Sequence, residues 1–288
     1  MTQSTPAVPD LKRYVLPSSV SQIGTITKYE LINYFRSRRF FVLLIIGLII
    51  SALLTTLVGY YRPASFLSST LNFYSSWWAG SITFVIILSG IFYGGDAISG
   101  EFQNKTGYFL VANPLRRSSI YVGKWLGALV ASVTVLAVYV AITIGNGLYY
   151  FGAYVPSQML EAVAFSLLYL IAVLGFTFFF SSLFKSSSMS ILVTALLFLF
   201  VFMIIQTLVT ELVHIEPWFM LTYGSQIITN ALTDPYPTTV TTRIGFGPNA
   251  STLTQYAVTI PEGLAIMIIY FIATAILGLV FFERKEFT

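Results

Sequence analysis

The chain has 288 residues, of which 56% are apolar and 9% charged, and its mean hydropathy is +0.82. Soluble domains carry roughly 25% charged residues, so eleven acidic and fifteen basic side chains cannot clothe a soluble body of this size, and the composition is that of a membrane protein. The absence of cysteine also excludes disulfides, thiol catalysis and thiolate metal sites.

Residues 1–19 are polar, contain Pro9, Asp10 and Pro17, and read as a flexible tail. No short apolar core followed by a small-residue cleavage site occurs in the first thirty residues, so no removable signal is expected and the first span should act as the insertion signal. Residues 20–39 place Ile23, Ile26, Leu31, Tyr34 and Phe35 on one broad side of a helix, with Lys28, Arg36 and Arg39 able to reach headgroups. Glu30 and Arg38 interrupt the apolar side, so the amphipathic pattern is imperfect.

A bilayer core roughly 30 Å thick needs about 20 apolar residues in a helix. Six stretches qualify, at about 40–60, 77–95, 125–144, 162–184, 189–210 and 263–282, and none contains Asp, Glu, Lys, Arg or His. The expected fold is an all-α integral membrane protein with one six-helix domain over 40–288. Spans 4 and 5 are joined only by Lys185 and the serines at 186–188, which predicts antiparallel neighbours.

Orientation follows from the basic residues, because cytoplasmic flanks hold their excess. With six spans, Lys12, Arg13, Lys28, Arg36, Arg38, Arg39, Lys105, Arg116, Arg117, Lys124, Lys185, Arg284 and Lys285 share one face, and only Arg62 and Arg243 lie on the other. Both termini are therefore expected in the cytoplasm, with Arg36, Arg38, Arg39, Arg117, Lys124 and Lys185 as anchors at the membrane interface. Trp77, Trp78, Trp125, Tyr60, Tyr61, Tyr149 and Tyr150 fall at span ends, where amphipathic rings favour the headgroup region.

The long loop at 211–262 is expected outside. Its start, 211–228, is apolar enough for a short helix at the outer interface, and an irregular linear loop is the alternative; beyond it the composition argues for turns and extended chain. His214, the only histidine, stands between Glu211 and Glu216, a weak metal-ligand pattern better read as a solvated loop. Asn249 opens a glycosylation triplet with Ala250 and Ser251.

No phosphate-cradling glycine loop with its lysine is found, so no ATP site is expected in this chain. The spans hold no buried charge of the kind that marks a proton or sodium relay. The basic residues flank spans and form no interleaved basic and aromatic surface, so nucleic acid is not an expected partner.

The connection at 96–124 is polar and broken by glycine. Glu101 and Lys105 stand at the spacing of a helical ion pair, Phe109, Leu110 and Val111 form an apolar cluster, and Pro114 forces a turn. The pattern predicts that the second span runs on to about Glu101, followed by a short amphipathic helix near 106–112. An apolar cluster rimmed by charge usually marks a protein or membrane contact.

The run Ile98-Ser99-Gly100-Glu101, then Lys105-Thr106-Gly107, then Asn113-Pro114-Leu115-Arg116-Arg117 and Gly123-Lys124 resembles the segment between spans 2 and 3 of ABC transporter permeases of the type 2 exporter family. The six spans and the basic segment before the first agree with that resemblance; Thr106-Gly107-Tyr108 departs from the family's usual turn. The resemblance implies that residues 20–39 form a connecting helix. It also implies a coupling helix that docks on a separate cytoplasmic ATP-binding subunit through Ile98, Gly100, Glu101, Phe102, Lys105, Thr106, Gly107, Phe109, Leu110, Pro114 and Arg116. ATP and magnesium would sit on that partner and no cofactor on this chain, and a second permease subunit, identical or not, would complete the path in a prokaryotic plasma membrane. The competing readings are a membrane scaffold recruiting a non-ATPase partner and an enzyme using Glu211, His214 and Glu216.

Overall fold

The computed structural model describes residues 18–106, 115–244 and 251–285. Most of the tail at 1–19, the residues Gly107, Phe109, Leu110 and Pro114, the bulk of the amphipathic helix expected near 106–112, and Asn249 lie outside the described residues. Six helices are long and apolar enough to cross a membrane: Arg38–Tyr61, Thr70–Gln103, Arg117–Phe151, Ser157–Leu183, Ser187–Val213 and Ile260–Arg284. They match the six expected spans in order and outrun them at most ends, because polar residues continue a helix once side chains or neighbouring chain satisfy them.

A helix α1 (Ser19–Arg36) precedes the spans; the Ser18 hydroxyl accepts from the amide of Ser21 at its start. Ser37 takes an extended conformation and caps the first span, α2 (Arg38–Tyr61), through Phe40 N–H. Arg38 therefore belongs to the first span and not to α1. A single turn α3 (Ala64–Leu67) leads to the second span, which is interrupted twice: α4 (Thr70–Trp78), α5 (Ser81–Gly94) and α6 (Ser99–Gln103). At the first break Gly80 adopts φ +73°, a left-handed conformation that favours glycine.

The third and fourth spans are the continuous helices α7 (Arg117–Phe151) and α8 (Ser157–Leu183). The fifth is α9 (Ser187–Leu196) and α10 (Phe202–Leu208), with wide π turns at Leu197–Val201 and Val209–Val213. The loop that follows holds two single turns, α11 (Leu221–Gly224) and α12 (Ile227–Asn230), and an antiparallel hairpin of β1 (Val240–Ile244) and β2 (Ser251–Gln255), Val240 opposite Gln255. The sixth span, α13 (Ile260–Arg284), opens with a Thr259–Glu262 capping box.

The fourth span is the centre of the bundle: Tyr169, Leu170, Ala172, Val173, Leu174 and Phe178 are all fully buried against spans 2 and 6. Spans 1, 5 and 6 bury only 22%, 17% and 22% of their most apolar windows, against 56% for span 4, so they form the periphery. Several hydroxyls inside the bundle return their hydrogens to their own helices, as Ser89 does to Val85 O and Ser166 to Ala162 O, which removes the penalty for those polar groups in an apolar medium.

One expectation is corrected here, and one open alternative is decided. Trp77 and Trp78 are fully buried in the protein, Trp78 Nε1 donating to Thr143 Oγ1, and do not lie at a lipid interface; Tyr60, Tyr61 and Tyr149 are exposed at that same end of the bundle. The chain at 211–228 is not a linear loop. Leu221, Tyr223, Ile227 and Ile228 are buried against spans 4 and 6, so apolar burial pulls the two turns onto the bundle.

Candidate functional site

The second span cannot continue as a helix past Gly95, and the amides at the break need partners. The Ser181 hydroxyl of span 4 supplies them, accepting from Ile98 N at 2.9 Å and Ser99 N at 3.0 Å. Asp96, on the other side of the break, accepts from Arg39 of the first span at 2.6 Å. The break thus holds α6 at a set angle between spans 1 and 4.

Glu101 of α6 points into the fold and pairs with Lys124 of span 3 at 2.7 Å. Lys124 also donates to Glu30 of α1, and the Thr106 hydroxyl donates to Glu101. The Lys124 side chain is 6% exposed and its two carboxylate partners 17% and 18%. An ammonium so placed loses several kcal/mol of hydration, and two short charge-assisted hydrogen bonds offset the loss. Close approach makes this geometry accessible: a Cβ on Gly123 would stand 2.8 Å from Ile26, and one on Gly127 2.8 Å from Glu30. Two glycines one helical turn apart let α1 lie directly on span 3.

Further bonds close the cluster. Tyr34 of α1 donates to Tyr93 O at 3.0 Å and meets the Tyr93 ring edge-on, and burial beside Glu30 and Asp96 pushes its phenol well above the usual value, which keeps it a donor. Gln22 accepts from Arg116 N at 3.2 Å. On the opposite side of α6, Gln103 accepts from Ser187 N, and the Phe102 ring lies edge-on to Phe282 and beneath the Lys285 ammonium. Lys285 donates to Ser182 O and Phe184 O, and Arg117 to Glu283 O and Lys285 O. A polar cavity of about 300 Å³ opens beside the cluster, lined among others by Asn33, Arg39, Asp96, Gly100 and Asn104.

This geometry changes several readings of individual residues. Lys124 is no headgroup anchor; it is buried between two carboxylates because span 3 begins at Arg117, about two turns before it. Glu101 does not pair with Lys105, whose backbone is left-handed at φ +57° and whose side chain is exposed. Ile98 is fully buried and unavailable to another protein. Glu30, which interrupts the apolar side of α1, is there to meet Lys124, and α1 packs on span 3 as well as presenting Tyr29, Ile32 and Phe35 outward.

Gly100, Glu101 and Phe102 are half-buried, whereas Thr106 and Arg116 are exposed. Arg36, Arg38 and Lys185 are exposed, Arg39 is exposed but paired, and Arg117 is half-buried against the end of span 6. Sequence reasoning missed Glu30, Asp96, Gln103, Ser181 and Lys285 as members of the cluster. The one legible signal was a pair of misfits, an acid on an apolar helix side and a lysine next to a span. At the far end His214 ends span 5 in a left-handed conformation, Glu216 accepts from Tyr223, and no metal-binding group is found among the described residues.

Residues 24–287 match the family described as ABC-2 family transporter protein, a match that takes in α1 from Gly24 and all six spans. The chain belongs to the ABC-2 transporter family. A comparison with curated protein sequences finds no match. Membership makes this chain the membrane-spanning permease of an ABC transporter rather than its ATPase.

Proposed function

We propose that the permease is the membrane half of an ATP-driven exporter, pairing with a second permease subunit and with separate cytoplasmic ATP-binding subunits that carry ATP and magnesium. The basic end of the bundle faces the cytoplasm of a prokaryotic cell, and residues 96–117 are the docking element. Within it the contact surface includes Asn104, Lys105 and Thr106, which are exposed; Gly107, Phe109, Leu110 and Pro114 of the expected docking set lie outside the described residues. The observation that carries this reading is the Glu30–Lys124–Glu101 cluster, which ties α6 to α1 and to span 3. A push on the tip of α6 is then passed to α1 and span 3 at once through buried, short contacts, whereas a loosely attached loop would absorb it. α1 and the base of the bundle form one mechanical unit with α6, and residues 40–288 form a single permease domain.

The test separates docking from coupling. Purification from the native membrane in mild detergent should bring down an ATPase at near equal stoichiometry. Reversing the exposed charge with Lys105→Glu should release it. The charge-free variant Lys124→Met, Glu30→Gln and Glu101→Gln should keep the ATPase bound while ATP turnover no longer responds to the permease. An ATPase that fails to co-purify even after crosslinking would overturn the proposal.

A further inference from the structure

A second cavity, of about 400 Å³, lies at the opposite end of the bundle from the Lys124 cluster, between spans 2, 4 and 5 and the turns α11 and α12. Its span 5 wall is built from Met203, Gln206, Thr207 and Thr210, which share a helical face at steps of three and four. The π turn at Val209–Val213, closed by bonds between residues five apart, brings Glu211 onto the same wall.

The hydroxyl hydrogens of the Thr and Ser residues in this lining are already committed. Thr83 donates to Gly80 O, Thr207 to Met203 O, Thr210 to Gln206 O, Ser225 to Thr222 O, and Thr222 to Gln206 Oε1 at 3.0 Å. A hydroxyl has one hydrogen and two acceptor positions, so these five side chains offer the cavity only acceptors. The Tyr169 hydroxyl is fully buried on the same wall and faces Ser225 without closing a hydrogen bond to it. The only charged group in the lining is Glu211, which makes no ion pair among the described residues, and no Lys, Arg or His contributes. The amides of Gln206 and Gln226 and the Tyr169 hydroxyl keep donors, but the five committed hydroxyls offer acceptors and the one charge is a carboxylate, so the lining repels anions and favours a ligand that donates hydrogen bonds and carries positive charge. Ile87, Phe198 and Met203 supply an apolar margin beside it.

We propose that this cavity binds the protonated amine of an amphipathic cargo, with Glu211 as counter-charge, the Thr and Ser hydroxyls as acceptors and the apolar margin holding the attached chain. The proposal rests on the exporter reading for its meaning as a cargo site, but binding itself needs no ATPase. The experiment is equilibrium binding of dansylcadaverine, a fluorescent primary amine, to the purified permease in nanodiscs, with its N-acetyl derivative as the uncharged analogue and empty nanodiscs as the control for partition into lipid. Saturable binding of the amine, about tenfold weaker for the acetylated compound, is the expected result. Glu211→Gln, at an exposed position, should weaken the amine by a similar factor and leave the acetylated compound unchanged. Equal binding of the two compounds, which is what a site for neutral polyols would give, overturns the proposal, as does the absence of saturable binding. ATP-driven uptake into inverted vesicles decides the exporter reading separately: binding without uptake overturns that reading alone, and uptake of other cargo without amine binding overturns this one alone.

Discussion

Lys124 would be hard to justify on its own, since a buried ammonium is tolerated only when its partners are present. Lys124→Ala leaves the Glu30 and Glu101 carboxylates facing each other without a cation and should cost about 3–5 kcal/mol, read as a loss of resistance to denaturation in mixed micelles. The triple variant Lys124→Met, Glu30→Gln and Glu101→Gln removes all three charges together and should recover most of that loss; a triple variant as unstable as the single one would mean that shape rather than charge holds the cluster. Lys285 is the second informative cation. Burial, with Lys185 adding repulsion, pushes its ammonium down to about 8 from the ordinary 10.5. Below pH 8 the lysine is protonated in folded and unfolded chains alike and contributes no pH slope. Between pH 8 and 10.5 the unfolded chain binds the proton more tightly, so the fold gains stability as pH rises through that window. The resonance of isotopically methylated Lys285 should titrate near pH 8, and a midpoint near 10.5 would contradict the burial seen beside Phe102.

At the scale of elements, the contact of α1 with span 3 depends on the two glycines that face it. Gly123→Leu places a branched side chain where Ile26 already stands, and α1 must lift away or shift along the span. The expected outcome is faster amide exchange across α1 and a stability loss of about 1–3 kcal/mol, with the six spans retained. Unchanged exchange in α1 would show that the helix is held elsewhere. The breaks in the second span are equally specific. Gly80 supplies a left-handed residue at one end, and at the other Ser181 caps amides that the helix has left open, so the interruption near Gly95 is satisfied by span 4 and is no weak point.

For the whole molecule, the bundle has a basic end and an end with exposed tyrosines, and the absence of cysteine makes its orientation simple to measure. Arg36→Cys and Tyr149→Cys place single thiols at exposed positions at the two ends. A membrane-impermeant maleimide applied to intact cells should label only Tyr149→Cys, and Arg36→Cys should react after permeabilisation. The reverse pattern would invert the topology and place the polar segment at 96–117 out of reach of any cytoplasmic ATPase. Spans 1, 5 and 6 leave apolar flanks outside the fold, as expected of helices that meet lipid or another subunit.

Hydropathy by itself determined the number and order of the spans, because an apolar run of twenty residues has few alternatives to crossing a bilayer. The resemblance around Ile98 to Lys124 likewise pointed to the family from sequence alone. What local pattern could not supply was which charges are paired across the fold. Glu101 with Lys105 is the pairing that helical spacing favours, yet Glu101 meets Lys124, which it shares with Glu30, since α6 ends at Gln103 before the spacing can act and tertiary packing brings span 3 closer than the next turn. The same is true of Trp77 and Trp78, which read as interface residues in one dimension and are core residues in three. Composition and periodicity report the preference of each segment for water or lipid; only the packed helices decide which side of a segment meets protein, and there the buried charges and the cavity with its acceptors were settled.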